Sequence, residues 1–149
     1  MNARSVVVGS DGRAKAYRPL PESDRTAALA SGLAAYDRGD YFAAHEHLEP
    51  AWMGTDDPVE RAWLQALIKL AAAYVHAIRG NPAGIAKNLE GARARLAEAV
   101  TRLPEVRIPG GSSLDLQALI DAIDLRLADL AAHPSAATLG APVLRTPGR

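Results

Sequence analysis

The sequence predicts an all-α protein, a single compact bundle of about five antiparallel helices joined by short connections. Three observations carry that expectation. Apolar residues recur at spacings of three and four over long stretches, which is the period of an amphipathic helix and not of a strand. The stretches are punctuated by Gly39-Asp40, by Gly80-Asn81-Pro82 and by the proline- and glycine-rich run 104–111, residues that end one helix and cap the next. Alanine supplies much of the 48% hydrophobic content while aromatics make up only 5%, a composition that favours helix and close helix–helix approach.

Residues 1–22 read as an N-terminal arm. Val6-Val7-Val8 before Gly9-Ser10-Asp11-Gly12 suggests a short strand and turn, and Pro19-Leu20-Pro21 is incompatible with a helix interior. The bundle is expected over 23–133. Ser23 suits an N-cap for a first helix to about Arg38, with Leu29, Leu33 and Tyr36 on one face. Gly39-Asp40 breaks it, and a second helix runs to about Met53. The third has the clearest start: Asp57 caps, Pro58 takes the first helical position and Glu60 completes a capping box. It should reach Arg79 and stop at Gly80. Asn81-Pro82 opens a fourth helix with the seam Ile85, Leu89, Ala92, Leu96, Ala99 and Leu103. Its Gly84 and Gly91 point to close helix contact. Residues 104–111 form a connection, and Ser112 with Asp115 offers a capping box for a fifth helix carrying Leu116, Leu119, Ile120, Ile123, Leu127 and Leu130. Residues 134–149, with Pro134, Pro142 and Pro147 and no periodicity, read as a disordered tail.

Charge and cysteine usage limit the function classes. Lys+Arg and Asp+Glu both total 17 and are interleaved, so no basic excess favours nucleic acid or an anionic membrane. With no cysteine, disulfides and thiolate metal sites are excluded, and any metal must use His, carboxylate and water. No apolar run has the length of a signal peptide core or a membrane span. The chain is expected to be cytoplasmic and soluble, with a homo-oligomer or a protein partner left open.

The chemistry-bearing residues concentrate in His45-Glu46-His47-Leu48-Glu49-Pro50-Ala51-Trp52. His45 and Glu49 are four residues apart, so a helix stacks them on one face. Six of the seven aromatics lie between Tyr36 and Tyr74, which places any bulky pocket wall, Trp52 included, on the helices around this run. The third helix is apolar around most of its circumference, but Arg61, Gln65, Lys69 and His76 form a narrow polar stripe. On a buried helix such a stripe must meet water or other polar groups. With the turn near Gly54-Thr55-Asp56, antiparallel pairing sets His45 level with Gln65 and Glu49 level with Arg61, with His76 toward the other end. A polar pocket of His45, Glu49 and Gln65 follows, with Trp52 as wall and Arg61 or His76 as outer members.

Two readings of the pair stay open. A His with a carboxylate is half of a divalent metal site, suited to Zn, Mn, Fe or Ni. Alternatively, the pair is structural and ties two helical turns together. The run is not a zinc-protease signature, because its fifth position is Glu49 and not a second His. It also lacks the paired Glu-x-x-His repeats of di-iron bundles. His47 points to a different face. Pro50 removes the bond to the Glu46 carbonyl and disfavours helical geometry at Glu49, so a kink that turns Glu49 away from His45 is one outcome.

Gly39-Asp40-Tyr41-Phe42, His45-x-x-x-Glu49-x-x-Trp52, then Leu64-Gln65-x-Leu67-Ile68-x-Leu70-Ala71-Ala72, His76, Gly80-Asn81 and Gly84 resemble a bacterial and archaeal family of uncharacterised helical proteins. That family is a domain of unknown function, defined by a His-x-x-x-Glu-x-x-Trp/Tyr motif. The resemblance spans about residues 26–100. It implies an all-helical fold and a motif suggested to bind metal, carried here by His45, Glu49 and Trp52. The residues do not choose between an enzyme and a non-catalytic interaction or scaffolding module. For an enzyme they suit metal-assisted hydrolysis, with His45 as ligand and Glu49 as ligand or base.

Overall fold

The computed structural model describes residues 6–8, 14–135 and 137–147. Its elements are β1 (Val6–Val8), β2 (Ala14–Ala16), α1 (Glu22–Asp37), α2 (Tyr41–Met53), α3 (Pro58–Ile78), α4 (Pro82–Val100), β3 (Glu105–Ile108), β4 (Ser112–Asp115), α5 (Leu116–Ala132) and β5 (Thr146–Pro147). The fold is all-helical in its mass, and successive helices pack on one another in chain order, α1 on α2 through to α4 on α5.

Three helix boundaries follow directly from the local sequence. Gly39 (φ 81°) and Gly80 (φ 68°) take the left-handed conformation that ends α1 and α3. Each is followed by a cap: the Asp40 carboxylate accepts from Ala43 N at 3.1 Å and the Asn81 amide oxygen from Gly84 N at 3.2 Å. Asp57 likewise accepts from Val59 N at 3.1 Å with Pro58 in the first turn. Replacing Asp40 by Ala should lower stability by about 1 kcal/mol, readable as a shift in the urea midpoint at unchanged slope.

Other boundaries depart from expectation. Pro21, not Ser23, precedes α1, and no side chain caps it; Pro21 O accepts from Arg25 N at 2.9 Å. Glu60 closes no capping box. Its carboxylate instead accepts from Arg25 Nε at 3.1 Å and joins α3 to α1. Asp115, not Ser112, caps α5, accepting from Ala118 N at 3.0 Å. Ser112 is occupied as a strand residue, because the run after α4 is a hairpin: β3 pairs antiparallel with β4, Val106 opposite Leu114 and Ile108 opposite Ser112. Gly110 (φ 103°) and Gly111 (φ 96°) make its turn. Leu103, expected on the seam of α4, lies beyond its last residue.

Within the expected tail of 134–149, the described residues 137–147 depart most. In place of a disordered tail, the chain returns along the bundle from Ala137 and adds β5 to β4, Ser113 opposite Thr146. Pro142 and Leu144 are fully buried. The N-terminal arm is also engaged. β1 pairs with β2 as the expected short strand does, with the turn outside the described residues. Arg18 N and Leu20 N then donate to the carbonyls of Met53 and Gly54 at 2.9 and 3.1 Å. This satisfies backbone acceptors that a helix end leaves orphaned. Gly54 is needed for that approach, since a Cβ there would sit 2.5 Å from Leu20 Cβ.

The core forms where the helix faces meet. It includes Leu33 and Tyr36 of α1, Leu48 of α2, Leu64, Leu67, Leu70 and Tyr74 of α3, Leu89 and Leu96 of α4, and Leu116 and Ile123 of α5. α3 is its central member, as its apolar circumference predicts. α1 approaches α2 at Gly32, where a Cβ would lie 2.6 Å from Leu48 Cγ. α4 approaches α3 at both of its interior glycines, as their presence suggested. A Cβ on Gly84 would meet the His76 ring at 2.5 Å, and one on Gly91 would meet Lys69 Cδ at 2.9 Å.

Candidate functional site

α2 presents one face to α3, and the motif lies on it. Tyr41, His45, Glu49 and Trp52 follow at helical spacing. Both ends of this face are anchored. At the N-terminal end the Tyr41 ring meets Tyr36 edge-on at 5.2 Å between centroids and meets Tyr74 of α3 at 5.6 Å. Burial pushes the phenols of Tyr36 and Tyr74 up, with Arg126 pulling both partly back. Both phenols therefore stay protonated at physiological pH, and that of Tyr36 donates to the Pro142 carbonyl at 2.8 Å.

At the C-terminal end the anchor is Arg61. Only 6% exposed, it lies with its guanidinium carbon 4.6 Å from the centre of the Trp52 ring. Its Nη1 donates to the carbonyls of Trp52 and Thr55, both at 3.0 Å. The cation thus closes the last turn of α2, where the helix dipole is negative, and its plane covers an indole face. Burial pulls the Arg61 pKa down and the Tyr17 phenol pulls it up. Nη2 is buried without a hydrogen-bond partner. Sequence reasoning placed Arg61 at the rim of a pocket, whereas it is the clasp of the α2–α3 hairpin. The available signal was an arginine one turn into an apolar helix, directly after a tight turn.

Between the anchors, His45 and Glu49 face each other. His45 Nδ1 lies 3.8 Å from the nearer Glu49 oxygen, with the side chains 34% and 46% exposed. That is ion-pair range and beyond hydrogen-bond length. Pro50 does not turn Glu49 away: α2 is continuous from Tyr41 to Met53 with Pro50 inside it. Proline there costs the bond to the Glu46 carbonyl, and Pro50 and Glu46 both sit on the exposed side of the helix, so that the lost bond falls on the solvent side. His47 is exposed, away from the pair.

Arg61 and His76, the outer members expected of the pocket, are engaged elsewhere, Arg61 at the end of α2 and His76 beside Asn81. Gln65 is half-buried on α3, and no hydrogen bond joins it to His45 or Glu49 among the described residues. His76 is eleven residues further along α3, about 16 Å at 1.5 Å per residue. There its Nδ1 lies 3.2 Å from the Asn81 amide nitrogen, and its ring lies against Gly84. The polar stripe of α3 therefore divides. Arg61 serves α2, while Lys69 and His76 lie across the glycines of α4. The spacing of four drifts around the helix, and a stripe that starts at one neighbour ends at the next.

Among the described residues no group of three or more His, Asp or Glu converges in a way that would hold a metal ion. One chain thus offers His45 and Glu49 as two donors, and even a catalytic zinc site takes three from protein. A cavity of about 150 Å³ lies elsewhere, between α1, α3 and β3, lined by Arg25, Glu60, Trp63 and Arg107 among others. Ala51 is its one lining residue from α2, and neither His45 nor Glu49 reaches it. No described helix is long and apolar enough to cross a membrane.

Known proteins add the same region and no chemistry. No curated protein and no solved structure matches the chain. From Leu29 in α1 to Asn88 in α4, the segment that holds both anchors and the pair between them, the chain is similar to a domain of unknown function (DUF309).

Proposed function

We propose that the protein is a non-catalytic interaction module in which the His45–Glu49–Trp52 motif braces the α2–α3 hairpin. The observation that carries this is the use made of Trp52: its ring and its carbonyl are both taken by Arg61. The motif's aromatic position is thus spent on holding two helices together, and Tyr41 performs the matching task one helix length away. The pair between them ties successive turns of α2 and contributes a few tenths of a kcal/mol. Phe42 and Ile78, 60% and 73% exposed, are apolar side chains open to contact with a partner.

One observation favours a second reading, a divalent-metal half-site for Zn, Mn, Fe or Ni. His45 and Glu49 are half-exposed and turned toward each other, so a third donor from another chain has access to both.

Elemental analysis of untagged protein purified under metal-replete conditions separates the two, with His45→Ala and Glu49→Gln as controls. The brace reading expects sub-stoichiometric metal in all three proteins and a stability loss of about 0.5 kcal/mol or less for Glu49→Gln. One equivalent of metal in the parent, lost in both variants, would overturn it and establish the half-site.

A further inference from the structure

Residues 138–146 are held as a bound peptide is held. Asp129 accepts from the backbone N–H groups of Thr138 and Leu139 at 2.9 and 3.3 Å. Arg126 Nε donates to the Gly140 carbonyl at 2.8 Å, and the buried Tyr36 hydroxyl donates to the Pro142 carbonyl at 2.8 Å. Side chains alternate: Pro142 and Leu144 are fully buried, while Val143 between them is 80% exposed. The Arg145 guanidinium pairs with Asp37, and Thr146 joins the edge of β4. Main-chain capture, pockets for alternate residues and strand addition together are the recurring means by which proteins bind extended segments. Between α5 and Thr138, His133, Pro134, Ser135 and Ala137 are exposed, so this part of the tether adds no buried surface of its own.

We propose that the groove between α1, α5 and β4 is a docking site for an extended partner segment of the pattern Pro-x-Leu-Arg, and that the chain's own strap is its resident competitor. Charge complementarity fixes the direction of the partner: the basic residue directly after the leucine, three positions after the proline, reaches Asp37, while Asp129, Arg126 and Tyr36 hold main-chain atoms. A tethered competitor acts at an effective concentration of about millimolar, so a partner gains the site only by binding more tightly than the strap or after the strap is loosened. Loss of the strap also leaves β4 with an open edge, which a second strand restores.

This inference rests on the interaction-module reading, but it is tested on other residues, so metal found at His45 would remove that reading without altering the result here. The probe is a fluorescein-labelled peptide of residues 137–149, titrated against the full chain. Leu144→Asp loosens the strap, and Arg145→Glu does so at a surface anchor that leaves the core intact. Fluorescence anisotropy should show at least tenfold tighter peptide binding to Leu144→Asp than to the parent chain. Arg145→Glu should lie between them, and a peptide carrying aspartate at the Leu144 position should not bind. If Leu144→Asp fails to give a helical circular dichroism spectrum, the comparison is made with Arg145→Glu alone, and tighter binding than to the parent is required. Absence of binding to a folded variant overturns the proposal, as does equal binding of both peptides. Concentration-dependent dimers of the parent that Leu144→Asp abolishes also overturn it, because the occupant is then a second copy of this chain.

Discussion

Replacing Arg61 by Ala should destabilise the protein by about 3 kcal/mol. Two charge-assisted hydrogen bonds are lost, each worth about 1.5–3 kcal/mol when the partner is buried and left unpaired, together with a cation–π contact of about 1 kcal/mol. Against this stands the desolvation of a guanidinium whose Nη2 has no partner, relief of which returns part of the loss. For a domain of this size the change corresponds to about 6–12 °C in Tm. The opposing terms predict an order among variants. Arg61→Met keeps the volume against Trp52 without burying a charge, and should cost less than Arg61→Ala. Arg61→Lys keeps the charge without the planar fork, and should fall between. Thermal denaturation of the three settles whether Arg61 acts as a clasp. Losses below about 1 kcal/mol, the range of ordinary surface substitutions, would show that the carbonyls of Trp52 and Thr55 find water instead.

The distance between Arg61 as read from sequence and Arg61 as found shows what the sequence carries and what it does not. Helix boundaries set by local chemistry were legible: Gly39-Asp40, Asp57-Pro58 and Gly80-Asn81-Pro82 each act through atoms within four residues of one another. Gly84 and Gly91 were legible as close contacts for the same reason, since a glycine in a helix interior requires a neighbour. The β3–β4 hairpin was also within reach. Val106 and Ile108 alternate with Glu105 and Arg107, buried against exposed, and Gly110-Gly111 supplies the turn. The proline- and glycine-rich context hid a strand signal only four residues long.

What was not legible depends on partners far away in sequence. Glu60 was spent on Arg25, thirty-five residues away, and no local pattern distinguishes that from a capping box. Pro142 and Leu144 lack any period, yet they bury on a surface built by α1 and α5, with Tyr36 as hydrogen-bond donor across 106 residues. The candidate site suffered in the same way. His45 and Glu49 are neighbours because helical spacing makes them so. Convergence of His76 on them required a straight stripe on α3, and the drift of that stripe around the helix sends His76 to α4.

Leu48→Ala should be the costliest core truncation in the motif segment, at about 3 kcal/mol within the 2–5 kcal/mol range for buried leucines. Leu48 is fully buried on the one α2 face that meets α1, and the backbone of α1 stands too close to collapse into the space. Gly32 defines that closeness, since its absent Cβ would lie 2.6 Å from Leu48 Cγ and 2.7 Å from Leu48 Cδ2. The same distances give Gly32→Ala an opposite sign in two backgrounds. Alone, the added methyl displaces a core leucine, at a cost of about 1–3 kcal/mol, and this outweighs the gain of about 1 kcal/mol from helix propensity. In the Leu48→Ala background the methyl enters the vacated volume and the propensity gain remains, so the double variant should be more stable than Leu48→Ala by about 1 kcal/mol. A double-mutant cycle by urea unfolding then yields a coupling of about 2 kcal/mol or more. Additivity within about 0.5 kcal/mol, the behaviour of distant sites, would mean that α1 and α2 are not in contact at this point, and the placement of the motif helix against α1 would have to be revised.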